Sequence, residues 1–302
     1  MKIAVLGSTG QLGSDLCRNL QQYSVVPLTR KDADVTDVPA LNSLLQNIRP
    51  EVIINATAFH NVEECEKDPA RAFLVNAVAV RSMAFAAVEL GSMFVHFSTD
   101  YVFDGRKKTP YVETDTPNPI NAYGISKYAG EIFIRSICEN YYIFRVASLF
   151  GKTNPSGKGL NFVEKIVEKA RKKESIQVVD DIIMSPTAAV DVAMAVKQAI
   201  AKRLPPGLYH CVNSGFCSWF EYAREIVRLI RADVPVSSRK SEDLFALSKT
   251  KRPINSALSS ELLTSRKIGL MRPWQEALKI YLQEQGYIPQ NTGEYHEIHH
   301  RV

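Results

Sequence analysis

Short apolar runs alternate with amphipathic segments along the first half of the chain. Five of these runs have the length and composition of buried parallel strands: Ile3–Leu6, Val25–Leu28, Val52–Asn55, Met93–Phe97 and Tyr142–Val146. Each run is followed by a loop and a segment with helical periodicity. Such alternation predicts an α/β fold in which a doubly wound parallel sheet carries helices on both faces, because crossovers between parallel strands are right-handed.

The alternation loosens after about residue 150. Glycine and proline in 153–159 indicate a loop, and Phe162–Lys173 has the pattern of an amphipathic helix with a basic outer face. Further along, Ala188–Ala201 is predicted to be a helix, Gly207–Asn213 a strand and Ser218–Arg231 a helix. The chain therefore leaves the main sheet and returns to it, which makes the second lobe discontinuous.

These patterns divide the chain into two lobes and a tail. The predicted division is a Rossmann domain over 1–150 with 187–213 returning to it, a smaller α/β substrate lobe over 151–186 and 214–289, and a tail over 290–302. The tail contains His296, His299 and His300, whose spacing would suit a metal on a helix. A frayed terminus is the favoured interpretation of the tail.

The composition of the 302 residues is that of a soluble globular protein, with 45% apolar and 23% charged residues. No apolar stretch approaches the roughly 18 residues of a membrane helix, and the run after Met1 is too short for a secretory signal. We therefore expect a cytoplasmic protein without a membrane partner.

A net charge of +5 fits an anionic substrate without requiring nucleic acid. Five scattered cysteines without a C-x-x-C pair indicate reduced packing residues.

A glycine-rich loop follows the first strand and opens a predicted helix, Ser14–Gln22. Gly7 permits a tight turn, Gly10 lets the backbone approach a pyrophosphate, and Gly13 permits close packing of helix and strand. Free N–H groups at the start of the helix would bind the anion. The loop therefore predicts a dinucleotide cofactor, held by Gly7, Thr9, Gly10, Gln11, Leu12 and Gly13.

The end of the second strand bears on the choice of cofactor. An acidic side chain there would bind the ribose of NAD, whereas a basic one can meet the extra phosphate of NADP. Arg30 and Lys31 precede the first carboxylate, Asp32, so NADPH is favoured through Arg30, although solvated loop charges and NADH stay open. Further predicted cofactor contacts lie at the ends of the third and fourth strands: Ala56, Thr57, Ala58 and Phe97.

A phenol and an ammonium group lie four residues apart, at Tyr123 and Lys127, on one face of a predicted helix. A free tyrosine titrates near pH 10, and a neighbouring lysine cation favours the phenolate and lowers the phenol pKa towards neutrality. The pair is therefore predicted to act in proton transfer, with Tyr123 as the proton donor. A surface pair on an ordinary helix would carry the same spacing.

The third predicted catalytic residue is Thr99, at the carboxyl end of the fourth strand, where a doubly wound sheet binds its ligands. Its hydroxyl can hydrogen-bond a substrate carbonyl while Tyr123 supplies a proton and a nicotinamide supplies hydride. Asp100 and Tyr101, which follow directly, are predicted substrate contacts. Three motifs in this order on these elements predict a reductase.

The motifs Ser98–Gly105, Asn118–Gly124 and Arg252–Ser256, together with the G-x-x-G-x-x-G loop, resemble the dTDP-4-dehydrorhamnose reductase family of extended short-chain dehydrogenases/reductases. The resemblance covers most of the chain. It implies reduction of the C4 ketone of dTDP-6-deoxy-L-lyxo-4-hexulose to dTDP-L-rhamnose with NADPH. It also implies that Lys127 binds the nicotinamide ribose and that Asp34 and Val35 flank the adenine.

A dTDP-sugar carries a diphosphate that needs positively charged donors. Arg252 is the predicted donor, with a loop arginine as the alternative, and Ser256 is a further predicted substrate contact. Asn161 and Phe162 could present an amide and an aromatic face to the nucleotide base; a helix cap with a core phenylalanine is the equal alternative.

Metal binding and oligomeric state are left open by the sequence. A magnesium ion accompanies some relatives, but no convincing carboxylate cluster is present, and Glu63, Glu64 and Glu66 fit a solvated helix face. No metal ligand is therefore predicted.

Leu149 stands where some family members have tryptophan, so a sugar contact there is in doubt. A homodimer is an open alternative to a monomer.

Two other functions compete with the reductase. One is an epimerase or 4,6-dehydratase of the same superfamily, which would hold NAD tightly; the dehydratases place an acidic pair after the threonine, whereas Asp100 is followed here by Tyr101. The other is a non-catalytic dinucleotide-binding subunit similar to the β subunit of methionine adenosyltransferase. The complete set of Thr99, Tyr123 and Lys127 argues against that role.

Overall fold

A computed structural model describes residues 1–152, 160–242, 250–268 and 271–290. Two interpretations of the sequence fall outside these ranges. The predicted loop at 153–159 is one of them, and the histidine cluster at 296, 299 and 300 of the predicted tail is the other.

Six parallel strands form the main sheet, in the order β10-β5-β4-β3-β1-β2. Their bounds are β1 Lys2–Leu6, β2 Ser24–Leu28, β3 Val52–Asn55, β4 Met93–Thr99, β5 Tyr141–Val146 and β10 Gly207–His210. The five apolar runs are therefore strands, and the return of the chain at β10 completes the sheet. The predicted α/β class with a doubly wound parallel sheet is confirmed.

Helices and short strands connect and flank this sheet. The helices are α1 Gln11–Asn19, α2 Val38–Ile48, α3 Val62–Lys67, α4 Pro69–Phe73, α5 Ala79–Leu90, α6 Ala122–Ile137, α7 Phe162–Arg171, α8 Ala189–Ala201, α9 Trp219–Leu229, α10 Glu261–Ser265 and α11 Trp274–Glu284. The short strands are β6 Leu149–Phe150, β7 Ile176–Val179, β8 Ile183–Met184, β9 Thr187–Ala188, β11 Cys217–Ser218 and β12 Val236–Arg239.

Several predicted elements differ in detail from the structure; the strand predicted over Gly207–Asn213 ends at His210, and the helix predicted over Ser218–Arg231 spans Trp219–Leu229. The first helix begins at Gln11 rather than Ser14, so the glycine loop is shorter than predicted. The second strand is only partly buried, because it lies at the edge of the sheet, where its neighbour covers it on one side. An edge position also accommodates Pro27, which has no backbone N–H to donate to a further strand.

The strand order places a switch point between β1 and β3. From β1 the chain moves to β2 on one side, and the next strand, β3, pairs with β1 on the other side. Crossover helices therefore diverge there and leave a crevice beyond the carboxyl ends of the strands. The loops that follow β1, β3 and β4 open onto this edge, which is where the predicted site residues lie.

Alternating side chains of the sheet enter two separate cores. Ile3 and Val5 pack on the face covered by α1 and α8, whereas Ala4 and Leu6 pack on the face covered by α2, α5 and α6. A third core joins α7, α9 and α11 around Tyr222. This core lies within the predicted substrate lobe, but the division of the chain into lobes stays a prediction.

A helical segment over Pro69–Leu90 combines α4, a π-helical turn at Leu74–Val78 and α5. By length and composition it could cross a membrane, a feature that the search for uninterrupted apolar runs missed. Val80 and Met83 are buried in the sheet core, which accounts for much of its apolar character. Such packing is typical of a core helix in a globular protein.

Candidate active site

The glycine loop turns sharply between β1 and α1. Gly7 has a φ of 76°, a left-handed conformation that strains any residue with a Cβ, and its N–H donates to Leu28 O at 3.0 Å. A Cβ at Gly13 would lie 2.1 Å from Gly7 O, so α1 could not pack this close to the turn with a larger residue. Helix α1 has no acidic residue in its first turn and no side-chain cap. Its terminal N–H groups therefore suit an external anion.

Polar contacts at the end of β2 order the loop that contains Arg30. The Asp32 carboxylate accepts hydrogen bonds from Thr29 N at 2.8 Å and Thr29 Oγ1 at 2.6 Å, which turns it back onto the strand. Arg30 lies 3.5 Å from Asp34, and 77% of its side chain is exposed. The loop therefore presents a guanidinium to solvent while its nearest carboxylates are engaged locally. Val35, by contrast, is buried.

The loop after β3 packs directly on the glycine turn. A Cβ at Gly7 would lie 3.0 Å from Ala56 C and from Thr57 Cγ2. Thr57 donates its backbone N–H and its hydroxyl to Asn55 Oδ1, at 3.0 and 2.6 Å. Ala56 and Thr57 therefore lie beside the glycine loop, and contact of Ala56, Thr57 and Ala58 with a cofactor stays a prediction.

The two predicted catalytic hydroxyls, of Tyr123 and Thr99, lie together at the carboxyl end of β4. The Tyr123 phenol lies close enough to the Thr99 hydroxyl for that hydroxyl to lower the phenol pKa. Thr99 Oγ1 donates to Asp100 Oδ1 at 3.0 Å and accepts the Tyr101 N–H at 3.1 Å. The Thr99 proton therefore points to Asp100 in this structure and would have to turn to stabilise a Tyr123 phenolate. The phenol ring also lies edge-on to Tyr101, with 5.9 Å between ring centroids.

The expected lowering of the Tyr123 pKa by Lys127 is wrong for this structure. Burial raises the pKa of Tyr123 well above its usual value, with the Thr99 hydroxyl opposing the shift. The Lys127 amine is buried, donates to Phe97 O at 2.6 Å and lies 3.1 Å from His96 Nε2. Burial lowers the pKa of Lys127 to about 8, opposed by the charge of Glu131.

The predicted substrate contacts surround the same strand end. Asp100 is buried and is hydrogen-bonded by Ser256, and burial raises the pKa of the Asp100 carboxyl to about 6. Tyr101 hydrogen-bonds Arg252, and Arg252 Nη2 donates to Glu63 Oε1 at 2.5 Å. The structure therefore brings Thr99, Asp100, Tyr101, Arg252 and Ser256 together around Tyr123.

The interpretation of the acidic residues on α3 as a solvated face fits Glu64 and Glu66, which are exposed, but Glu63 is in an ion pair with Arg252. Glu63 pairs with Arg252, 189 residues away in sequence, and Glu66 Oε2 accepts the Ala122 N–H at 2.9 Å. Glu64 is exposed and binds Lys67, as a solvated face requires. The two pairs therefore tie α3 to the start of α6 and to the late Arg252 segment.

Asn161 and Phe162 are engaged at the third core, which surrounds Tyr222. Asn161 caps α7 by accepting the Glu164 N–H at 3.0 Å, and its amide donates to Gly151 O and Tyr281 Oη, both at 3.0 Å. Phe162 stacks on Tyr222 with ring centroids 5.5 Å apart. These contacts match the helix-cap alternative, and a role towards a nucleotide base stays a prediction.

Sequence reasoning missed three residues that shape the site. A Cβ at Gly124 would lie 2.1 Å from Tyr101 O, and one at Gly130 would lie 2.4 Å from Asn76 O, so both glycines let α6 approach its neighbours. In the sequence, the spacing of these two glycines from Tyr123 was the only sign of this close approach. His96, the third, lies in the middle of an apolar strand, where a single polar residue in a buried run was the available signal.

Comparison with known proteins gives consistent matches. The family model described as RmlD substrate binding domain matches residues 1–286. The spore coat polysaccharide biosynthesis protein SpsK of Bacillus subtilis is 38% identical over 285 residues, which cover 94% of this chain and 97% of that protein. The dTDP-4-dehydrorhamnose reductase of Burkholderia thailandensis is 35% identical over 301 residues, which cover 94% and 99%. A crystal structure of dTDP-4-dehydrorhamnose reductase from Bacillus anthracis in complex with NADP has a TM-score of 0.88 and 34% identity, covering 94% of this chain and 99% of that one.

Proposed function

Because the chain belongs to the RmlD substrate binding domain family, we propose that it reduces the C4 ketone of dTDP-4-dehydrorhamnose to dTDP-L-rhamnose with NADPH. Relatives of that activity by name match nearly the whole chain. The observation that carries the proposal is the position of the Tyr123 phenol beside Thr99 at the carboxyl end of β4, where its ring contacts Tyr101. Two hydroxyls that meet at this edge of the sheet can both reach a single carbonyl oxygen.

The dinucleotide site supports NADPH as the hydride source. Gly7 and Gly13 leave a cradle that a Cβ would fill, and the uncapped start of α1 suits a pyrophosphate. Arg30 would meet the 2′-phosphate, Asp34 and Val35 would flank the adenine, and Phe97 would line the nicotinamide side. When bound there, NADPH supplies the hydride that reduces the carbonyl carbon.

Tyr123 is the proposed proton donor. Its raised pKa keeps the phenol protonated across the neutral range, which a reduction requires because the new alkoxide must receive a proton. Thr99 would polarise the ketone by a hydrogen bond once its hydroxyl turns from Asp100 to the substrate. Lys127, buried one turn further along α6, would bind the nicotinamide ribose and return a proton to Tyr123 after turnover.

Removing the Arg30 side chain is expected to weaken NADPH selectively. Arg30→Ala should raise the KM for NADPH about tenfold, because one charge-assisted hydrogen bond is lost, and should leave the KM for NADH unchanged. Steady-state kinetics with both cofactors measure the effect, so NADH is its own control. Equal changes for the two cofactors would show that Arg30 does not bind the 2′-phosphate.

Arg252 is the proposed donor to the dTDP diphosphate. Arg252→Ala should raise the KM for the dTDP-sugar by about 10- to 100-fold and leave the KM for NADPH unchanged. Glu63→Gln is the matched control, because it breaks the same ion pair while keeping the guanidinium. If Glu63→Gln raises the KM for the sugar as much as Arg252→Ala does, Arg252 acts by ordering the loop and not by binding phosphate.

Incubation with NADPH and the 4-keto sugar tests the function as a whole. We expect NADPH oxidation matched mole for mole by conversion of ketone to alcohol. Unchanged NADPH absorbance with conversion of the sugar would favour an epimerase or 4,6-dehydratase, a class disfavoured here because Tyr101 stands in place of a second carboxylate. No turnover of any kind would favour a regulatory dinucleotide-binding subunit.

We propose a Rossmann domain over 1–150 with 187–213, a sugar-nucleotide lobe over 151–186 and 214–289, and a cytoplasmic location without nucleic-acid or membrane partners. No group of three or more metal-ligating residues occurs within the described ranges, so no magnesium step is proposed. A homodimer would find exposed apolar side chains on α5 and α6, among them Phe85 and Ile132, and sedimentation equilibrium would detect it.

A further inference from the structure

A buried row of polar side chains connects β3, β4 and α6 behind the catalytic tyrosine. Asn55 and His96 are paired in register on the neighbouring parallel strands β3 and β4, and neither is exposed to solvent. Asn55 Nδ2 lies 3.2 Å from His96 Nδ1, and His96 Nε2 lies 3.1 Å from Lys127 Nζ. A histidine buried in an apolar strand needs partners for both ring nitrogens, and these contacts provide them.

The hydrogen bonds fix which nitrogen of His96 carries its proton. The backbone N–H of Thr57 can only donate, so the Asn55 atom that faces it is the oxygen, and the amide NH2 must face His96. His96 Nδ1 therefore accepts. Burial holds the pKa of His96 well below its usual value, so the ring is neutral and its single proton resides on Nε2. That N–H points at the Lys127 amine.

An N–H group facing Lys127 distinguishes the two charge states of the amine. A neutral amine has a lone pair that accepts the His96 Nε2–H, whereas an ammonium group would meet it donor to donor. Phe97 O accepts one Lys127 hydrogen in either state. The contact at 3.1 Å is therefore favourable only with the uncharged form.

We propose that His96 is a positioning residue whose Nε2–H, oriented by Asn55, stabilises the uncharged amine of Lys127 and so lets this lysine exchange a proton near neutral pH. The proposal rests on the proposed function for its catalytic consequence. When Lys127 gives a proton to the Tyr123 phenolate, its N–H bond breaks, the phenol O–H bond forms, and the freed lone pair accepts the His96 hydrogen bond.

The other described side chains packed around His96 and Lys127 do not supply an alternative hydrogen-bond partner for the Lys127 amine. Helix α6 contributes Tyr123 and Glu131, and β5 contributes Arg145, which binds the Glu131 carboxylate at 2.9 and 2.6 Å. Strand β3 contributes only the neutral Asn55. The buried side chains of α5 carry no charge. Among the described side chains, His96 is the one within hydrogen-bond distance of the Lys127 amine. It can therefore set the charge state of that amine.

The second buried histidine of the sheet provides an internal control. His210 Nδ1 lies 3.2 Å from Tyr111 O and 3.1 Å from Ser259 O, and carbonyl oxygens can only accept. Its proton therefore resides on Nδ1, the opposite tautomer to that of His96. A single nitrogen NMR spectrum of the full-length protein should contain both forms.

Nitrogen NMR of the protein without substrate tests the proposal directly, with His96→Phe used to assign the His96 signals. We expect a neutral His96 ring protonated on Nε2 from pH 5 to 10, with its Nε2–H signal moving as Lys127 titrates near pH 8. A proton on Nδ1 of His96, or a Lys127 that titrates at its usual value, would overturn the proposal. The His96 tautomer and the Lys127 titration are both measured without substrate. They therefore stay the same even if the enzyme does not reduce the sugar.

Asn55→Asp reverses the arrangement without changing its size. The carboxylate still accepts from Thr57, but its second oxygen needs a donor, so the His96 proton should move to Nδ1 and leave Nε2 free to accept from an ammonium group. The Lys127 pKa and the basic limb of the kcat/KM profile should both rise by about one pH unit or more. A rise in pKa without the change of tautomer, or no rise at all, would contradict the role of His96.

Discussion

Replacing Tyr123 with phenylalanine is expected to lower kcat for reduction of the 4-keto sugar by about 10²- to 10⁴-fold. The variant keeps the ring that packs edge-on against Tyr101 but removes the phenol hydroxyl that lies beside Thr99. NADPH affinity should stay within about twofold, because a general acid contributes mainly to the transition state. Stopped-flow measurement of NADPH oxidation and a separate binding titration check both parts.

Tyr128→Phe is the matched control for Tyr123→Phe. Tyr128 lies on the same helix and packs, partly buried, against the apolar cluster that includes Val102 and Leu258. Its loss of one hydroxyl should leave kcat unchanged. Equal rates for wild type and Tyr123→Phe would remove the proposed acid, whereas equal losses in both tyrosine variants would indicate a general packing defect in α6.

Breaking the ion pair between Glu131 and Arg145 is expected to destabilise the fold by about 3–5 kcal/mol. Arg145 binds both carboxylate oxygens of Glu131, and the two side chains are 2% and 0% exposed. Glu131→Gln would leave a buried guanidinium without a counter-ion. Denaturant unfolding followed by circular dichroism measures the change.

The double variant Glu131→Leu with Arg145→Met separates charge from packing. Both buried charges are then absent, so we expect most of the stability lost in Glu131→Gln to return. The pair lies one helical turn beyond Lys127, and its removal should also lower the Lys127 pKa further, because the charge of Glu131 raises it. A double variant as unstable as the single one would show that the shape of the pair, and not its charge balance, stabilises the fold.

The order of elements and the cofactor loop could be predicted because their signals are local. Apolar runs identified the strands, and the glycine spacing directly after β1 identified the turn whose φ of 76° requires glycine. The pairing of Tyr123 with Lys127 on one helix follows from their spacing alone. By contrast, the start of α1 was placed too late, because a helix that begins with backbone N–H groups facing a ligand lacks the capping residue that marks most helix starts.

The electrostatics of the site could not be predicted because they depend on contacts distant in sequence. Glu63 was assigned to a solvated face, but the fold brings Arg252 against it from the far end of the chain. The expected influence of Lys127 on Tyr123 neglected burial, which raises the pKa of the phenol and lowers that of the lysine. The contact between Asn55 and His96 depends on the register of two strands, which apolar patterning does not specify.

A crystal structure with NADP⁺ and dTDP-L-rhamnose tests the central claim most directly. The account predicts that the C4 oxygen of the sugar lies within about 3.2 Å of both Tyr123 Oη and Thr99 Oγ1, with the nicotinamide C4 facing the sugar C4 carbon. A sugar whose C4 oxygen contacts neither hydroxyl, or a nicotinamide ring held away from the end of β4, would contradict it.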